Sequence, residues 1–299
     1  MLSSESSRYR GEESAPLRGG EGATILPTDV LDVFEKQLAG LPRPVTIEYF
    51  QTGASRLTVP GRAALAPCPD CRSTLELLQE VAAVSDLVSL GVHEFGHDPE
   101  LAAEYHIDRV PGIVVNGGSS RRLDLYGLPL GHFLPVLLDA MLRVAREPRE
   151  PPEEVARILD EVDEPLQVRV VGSVRHSPAT QAAIIAFTLA SSFARVEASV
   201  YAMESFPELV RDLDMTHTPL TFVNQSLGFA GVTTPVALAQ YALDSQNEPD
   251  DPRPPAVASH TIGEVAGPTA QAPARPGNSG PALPPSAGGV WRPAAPRDT

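Results

Sequence analysis

Cys68 and Cys71 are the only cysteines in 299 residues, with Pro69 and Asp70 between them, and an amphipathic run from Arg72 to Val84 follows at once. Two thiols at this spacing ahead of a helix point to redox chemistry. The unpaired amides of a helix's first turn and the positive end of its dipole favour a thiolate on the first cysteine. The two-residue gap lets the second sulfur attack a mixed disulfide formed on the first. Cys68 is therefore the expected attacking thiolate and Cys71 the resolving thiol. Pro69 and Asp70 are the expected tuning residues, since a carboxylate beside a developing thiolate raises its pKa by like-charge repulsion and destabilises the reduced form. On that ground Asp70 pushes the pair toward the reducing end of its range. Buried structural thiols are the plain alternative. A metal site is the rival chemistry: His93 and His97 have three residues between them and follow the cysteines, although the gap from Cys71 to His93 is longer than in a zinc finger. His106 and His132 read as surface residues.

The elements that must position these thiols alternate between helical and strand patterns. A short amphipathic helix is predicted over 29–38, a strand over 45–50, and a long loop over 51–67 that would form a flap above the cysteines. After the cysteine helix come a strand (87–95), a short helix (98–106), a hairpin of 113–116 with 121–126 turning at Asn116, Gly117 and Gly118, and an apolar helix (134–146). The same order then recurs: helix 152–162, strand 166–171, helix 178–192, strand 195–201, helix 205–213, strands 220–223 and 227–231, helix 235–243. This is an internal repeat of about a hundred residues. Residues 1–22, rich in Ser, Glu, Gly and Arg, and the Pro/Ala/Gly-rich tail 247–299 with Trp291 read as disordered. The expected organisation is a cysteine-bearing unit over 23–148 and a second unit over 149–246.

At these motifs the chain resembles the double-thioredoxin protein disulfide oxidoreductases, a glutaredoxin-like family built of two thioredoxin folds. The residues that carry the resemblance are Cys68-Pro-Asp-Cys71 heading a helix, Tyr105-His-Ile-Asp-Arg-Val-Pro-Gly112 before a strand, and Tyr126-Gly-Leu-Pro-Leu-Gly-His-Phe133 before the closing helix. The resemblance implies an α/β fold of two tandem thioredoxin-like units, each with a mixed central sheet flanked by helices. It implies that Val110 and Pro111 form the cis-proline segment facing the sulfurs, where an extended substrate can pair with the backbone. It also implies that Glu48, in Thr46-Ile-Glu-Tyr-Phe50, is the buried acid that moves protons for the resolving thiol; an outward-facing strand glutamate is the alternative. Tyr105 and Arg109 are candidates to line the groove beside Pro111, with helix packing and surface charge as their plainer roles. Met215-Thr-His-Thr-Pro219 corresponds to the second cis-proline segment. His176 and Ala179 stand where a second cysteine pair would be, so relay between two redox centres within the chain is excluded. The second unit is expected to supply an interface, with Ile184, Ile185, Phe187, Leu189 and Phe193 partly facing the first.

Composition narrows the remaining classes. A formal net charge of −15, with Lys36 the only lysine, argues against nucleic acid as partner. There is no apolar run of membrane-spanning length, and Met1 to Arg10 lacks the apolar core of a secretory signal. A cytoplasmic protein is expected, with no membrane and no cofactor, since no Gly-rich phosphate loop or carboxylate metal cluster stands out. The expected partners are disulfide-containing client proteins and an upstream thiol reductant such as a thioredoxin reductase. A non-catalytic interaction module or redox sensor on the same fold is the alternative function.

Overall fold

A computed structural model describes residues 24–52, 68–97, 99–117, 122–224 and 226–247. The N-terminal segment, nearly all of the expected flap, the tip of the first hairpin and the tail lie outside the described residues. The elements run α1 (Thr28–Leu38), β1 (Val45–Gln51), α2 (Cys71–Ala83), β2 (Val88–Glu94), α3 (Pro99–Glu104), β3 (Gly112–Gly117), β4 (Arg122–Tyr126) and α4 (Leu134–Ala145), then repeat. The second set is α5 (Glu153–Asp160), β5 (Leu166–Gly172), α6 (Ser177–Ser192), β6 (Val196–Ala202), α7 (Pro207–Asp212), β7 (Leu220–Val223), β8 (Ser226–Ala230) and α8 (Pro235–Asn247). Single 3-10 turns at Gly131–Phe133 and Met203–Ser205 precede α4 and α7.

All eight strands form one sheet in the order β2-β1-β3-β4-β6-β5-β7-β8. Within each unit a parallel pair (β1 with β2, β5 with β6) sits beside an antiparallel hairpin (β3 with β4, β7 with β8). The units join where Asp124–Tyr126 pairs in parallel with Ser199–Tyr201. This seam turns two four-stranded sheets into one.

Side-chain alternation along the strands gives the sheet two covered faces. On one, Ile47 and Tyr49 of β1 join Leu77, Leu78 and Val81 of α2 in a large core that continues through α4 and α6 into the second unit. On the other, Phe50, Ala102, Tyr126, Tyr201 and Phe206 form a second cluster under α3 and α7. The interface expected of α6 is present: it packs on α4 and β4 of the first unit as well as on β5 and β6. Ala179, Ala182, Ala183, Ala186 and Ala190 are buried along it with Phe187 and Leu189, and such small side chains permit close approach on several sides.

The short helices are shorter than their sequence patterns predict. His106 and Asp214 adopt left-handed backbone, φ 48° and 46°, and stop α3 and α7 at the same place in each unit. The closing bonds also match, Ile107 N to Ala102 O at 2.8 Å and Met215 N to Val210 O at 3.0 Å. No described helix is long and apolar enough to cross a membrane.

Candidate redox site

The helix starts at Cys71, not at Cys68. Cys68 stands in the turn before it, half-buried, while Cys71 is 3% exposed. The two are joined by a disulfide with Cα atoms 5.4 Å apart. Asp70 is the residue from which the helix springs: its carbonyl oxygen accepts from Thr74 N at 2.9 Å and from Thr74 Oγ1 at 2.8 Å. Its carboxylate reaches the second unit, where the Ser205 hydroxyl donates to Oδ2 at 2.6 Å. Pro69 is exposed in the same turn.

Beneath the pair lies Tyr49. Its hydroxyl donates to the Cys71 carbonyl at 2.7 Å, and burial pushes its pKa well above the ordinary phenol value, with Glu94 and Asp70 adding to the rise and the Thr74 hydroxyl opposing it. The phenol therefore stays protonated and acts as a donor.

Glu48 is not under the cysteines, which corrects the role expected for it. It precedes Tyr49 on the strand, so its side chain leaves from the opposite face. There its carboxylate lies 2.6 Å from His93 Nε2 across the β1–β2 pair, with both side chains about one-fifth exposed. Phe50 packs against the His93 ring, tilted by 35° with centroids 5.0 Å apart. His93 thus belongs to this pair, His97 is exposed in the following turn, and the described residues hold no group of three or more metal-ligating side chains. Alternation of Val45, Ile47 and Tyr49 as the inward residues was the available signal that Tyr49 and not Glu48 faces the cysteine helix.

The Val110–Pro111 peptide is cis, and so is Thr218–Pro219 at the matching position of the second unit. Phe50 and Tyr49 pair with Gly112 and Ile113, which brings Pro111 to the sheet end where Tyr49 meets Cys71. The Pro111 carbonyl accepts from Gly127 N at 2.8 Å, and the next amide, Leu128 N, donates to Ser205 Oγ at 3.0 Å. Ser205 so touches both the cysteine turn and the strand behind the cis-proline. Nothing local in the sequence marks it, since its partner Asp70 is 135 residues away. Arg109 stacks over Tyr201 and Phe206 at 5.5 and 5.3 Å, which gives it a packing role between the units. Tyr105 packs on Phe50, ring centroids 5.6 Å apart.

In the second unit the corresponding corner is closed by its own hydrogen bonds. His176 is exposed ahead of α6 and Ala179 is buried. Ser173 N donates to Thr218 Oγ1 at 3.0 Å, and Ser173 Oγ and Val174 N both donate to Glu204. Polar bonds occupy this corner, and no cysteine stands in it.

Repeated α/β units fused through one sheet, each with a cis-proline ahead of its third strand and a disulfide at the first cysteine helix, define a tandem thioredoxin-like architecture. No protein-family model matches the sequence and no curated protein matches it. Among solved structures the chain is similar to a protein disulfide oxidoreductase from Aeropyrum pernix k1, with TM-score 0.63 and 16% identity over 74% of this chain and 94% of that one. It is also similar to the N-terminal domain of alkylhydroperoxide reductase AhpF from Enterococcus faecalis, with TM-score 0.60 and 17% identity over 72% of this chain and 98% of that one. At such identities the likeness shows the fold, two tandem thioredoxin-like units.

Proposed function

We propose that the chain is a thiol-disulfide oxidoreductase that reduces client protein disulfides through Cys68 and Cys71. The observation that carries this reading is the asymmetry of the pair: a half-exposed Cys68 in the turn is bonded to a buried Cys71 at the first position of a helix. In the dithiol state the Cys68 thiolate attacks one sulfur of a client disulfide, whose S–S bond breaks and releases a thiolate. Cys71, after losing its proton, attacks Cys68 Sγ, expels the second client sulfur and leaves the Cys68–Cys71 disulfide. Two electrons pass to the client, and an upstream dithiol reductant, such as a thioredoxin reductase, returns them. In this reading Val110 and Pro111, at the cis peptide ahead of β3, offer the surface for an extended client segment, and the reaction is assigned to the cytoplasm. Two resident analogies support the same reading: the disulfide oxidoreductase from Aeropyrum pernix has this fold, and so does a domain of an alkylhydroperoxide reductase.

Insulin reduction driven by dithiothreitol tests it. The wild-type chain should accelerate precipitation of the insulin B chain, Cys68→Ser should abolish the effect, and Cys71→Ser should accumulate mixed disulfides. A wild-type chain no faster than dithiothreitol alone would make the pair a sensing or structural disulfide on an interaction module.

A further inference from the structure

Asp70 occupies the N-cap of α2 without capping it. An N-cap aspartate ordinarily has extended backbone and accepts from an amide two or three residues on. Asp70 instead has φ −92° and ψ −8° and makes no side-chain bond to its own helix. Its carboxylate instead accepts a hydrogen bond from the Ser205 hydroxyl, at 2.6 Å. Ser205 is itself fixed, because its oxygen accepts from Leu128 N at 3.0 Å and its single proton is committed to Asp70. The contact is close: a Cβ at Gly127, where φ is +91°, would lie 2.8 Å from Ser205 Oγ.

This arrangement keeps the Asp70 side chain away from the amides of the first turn of α2, the donors that stabilise a thiolate at a helix start. It also places a donor on the carboxylate that would otherwise repel that thiolate more strongly. Among the described residues, charged groups near the turn have partners of their own. Arg72 pairs with Glu76 at 2.8 Å, Gln51 donates to Glu94 at 2.9 Å, and Glu204 accepts from Ser173 and Val174.

We propose that Ser205, supplied by the second unit, is a positioning residue for the Cys68–Cys71 pair: it holds the Asp70 carboxylate off the α2 N-terminus so that the first-turn amides serve the Cys68 thiolate. The inference rests on the redox reading above. It gives the cysteine-free unit a direct part in the chemistry of the other.

The test uses the full reduced chain, with Cys68 pKa read from pH-dependent alkylation by iodoacetamide and redox poise from equilibration with glutathione. In Ser205→Ala the freed carboxylate competes for the helix amides. Alkylation at pH 6 should slow about threefold, and the dithiol–disulfide equilibrium should move about threefold toward disulfide, or about 14 mV at 29.6 mV per tenfold. In Asp70→Ala the Cys68 pKa should fall below wild type, and adding Ser205→Ala to that background should change neither readout. Ser205→Gly, which also lacks the hydroxyl, takes the place of Ser205→Ala if that variant does not fold. An unchanged pKa and potential on loss of the hydroxyl, or the same shift with Asp70 absent, would overturn the proposal. Both readouts need no client, so failure to reduce insulin counts against the catalytic reading alone.

Discussion

The Tyr49 hydroxyl donates to the Cys71 carbonyl at 2.7 Å, tying the inner face of β1 to the first residue of α2. A phenol in this place does something a carboxylate would not. With its pKa raised by burial it carries no charge beside the sulfurs at any ordinary pH, so it anchors the helix start without repelling a thiolate.

Tyr49→Phe tests the anchor. Loss of one buried hydrogen bond should cost about 1 kcal/mol, seen as a melting temperature lower by roughly 2–4 °C in a chain of this size, with Cys68 alkylation unchanged. Equal melting curves would show that the bond makes no net contribution.

Cys68 should react first. The reduced chain treated with an alkylating agent at mildly acidic pH should carry the label on Cys68, because Cys71 is 3% exposed while Cys68 is only half-buried. Peptide mapping that finds equal labelling, or Cys71 ahead, would reverse the roles assigned to the two thiols.

How much of this was legible in the sequence follows from how local each signal is. The cysteine spacing, the two X-Pro segments and the alternating helix and strand patterns are local, and the elements stand close to where they were expected. The resemblance points Glu48 at the cysteines, whereas the period-two alternation of Val45, Ile47 and Tyr49 turns it to the other face of the sheet. The early ends of α3 and α7 rest on left-handed backbone at His106 and Asp214, residues with no intrinsic need for it. The pairing of β4 with β6 and the bond from Ser205 to Asp70 join segments far apart in the chain. No pattern within either segment encodes such a partner.

The seam should be strong. Tyr126 and Tyr201 stack across it with centroids 4.5 Å apart and planes 7° from parallel, and Arg109 lies over Tyr201. Tyr201→Ala removes both contacts from a buried site and should destabilise the chain by about 3 kcal/mol or more in urea unfolding. Residues 1–150 expressed alone would expose Tyr126, Arg109 and the α6-facing side of α4, and should not yield a stable monomer. A monomeric, fully active 1–150 fragment would show that the first unit needs neither the seam nor Ser205.

Asp124 sets the last expectation, through pH. It lies on β4 opposite Ser199 at the seam, its Oδ1 is buried without a hydrogen-bond partner, and Arg122 approaches Oδ2 only to 3.5 Å. Burial raises its pKa from 3.8 to about 7, Arg122 opposing and Glu197 and Asp108 adding to the rise. Between those two values the folded chain holds a proton that the unfolded chain has released. Stability from this group is therefore greatest at the acidic end, falls as pH rises through the window and is level above it. Over pH 5 to 8 the loss should be roughly 2–3 kcal/mol. Asp124→Asn has no proton to lose there, so the wild-type-minus-variant difference in urea unfolding free energy isolates Asp124 from the other titrating groups. That difference should become less favourable to the wild type as pH rises from 5 to 8. A constant difference, or one that moves toward the wild type, would mean that Asp124 is already ionised in the folded seam and that Arg122 outweighs burial.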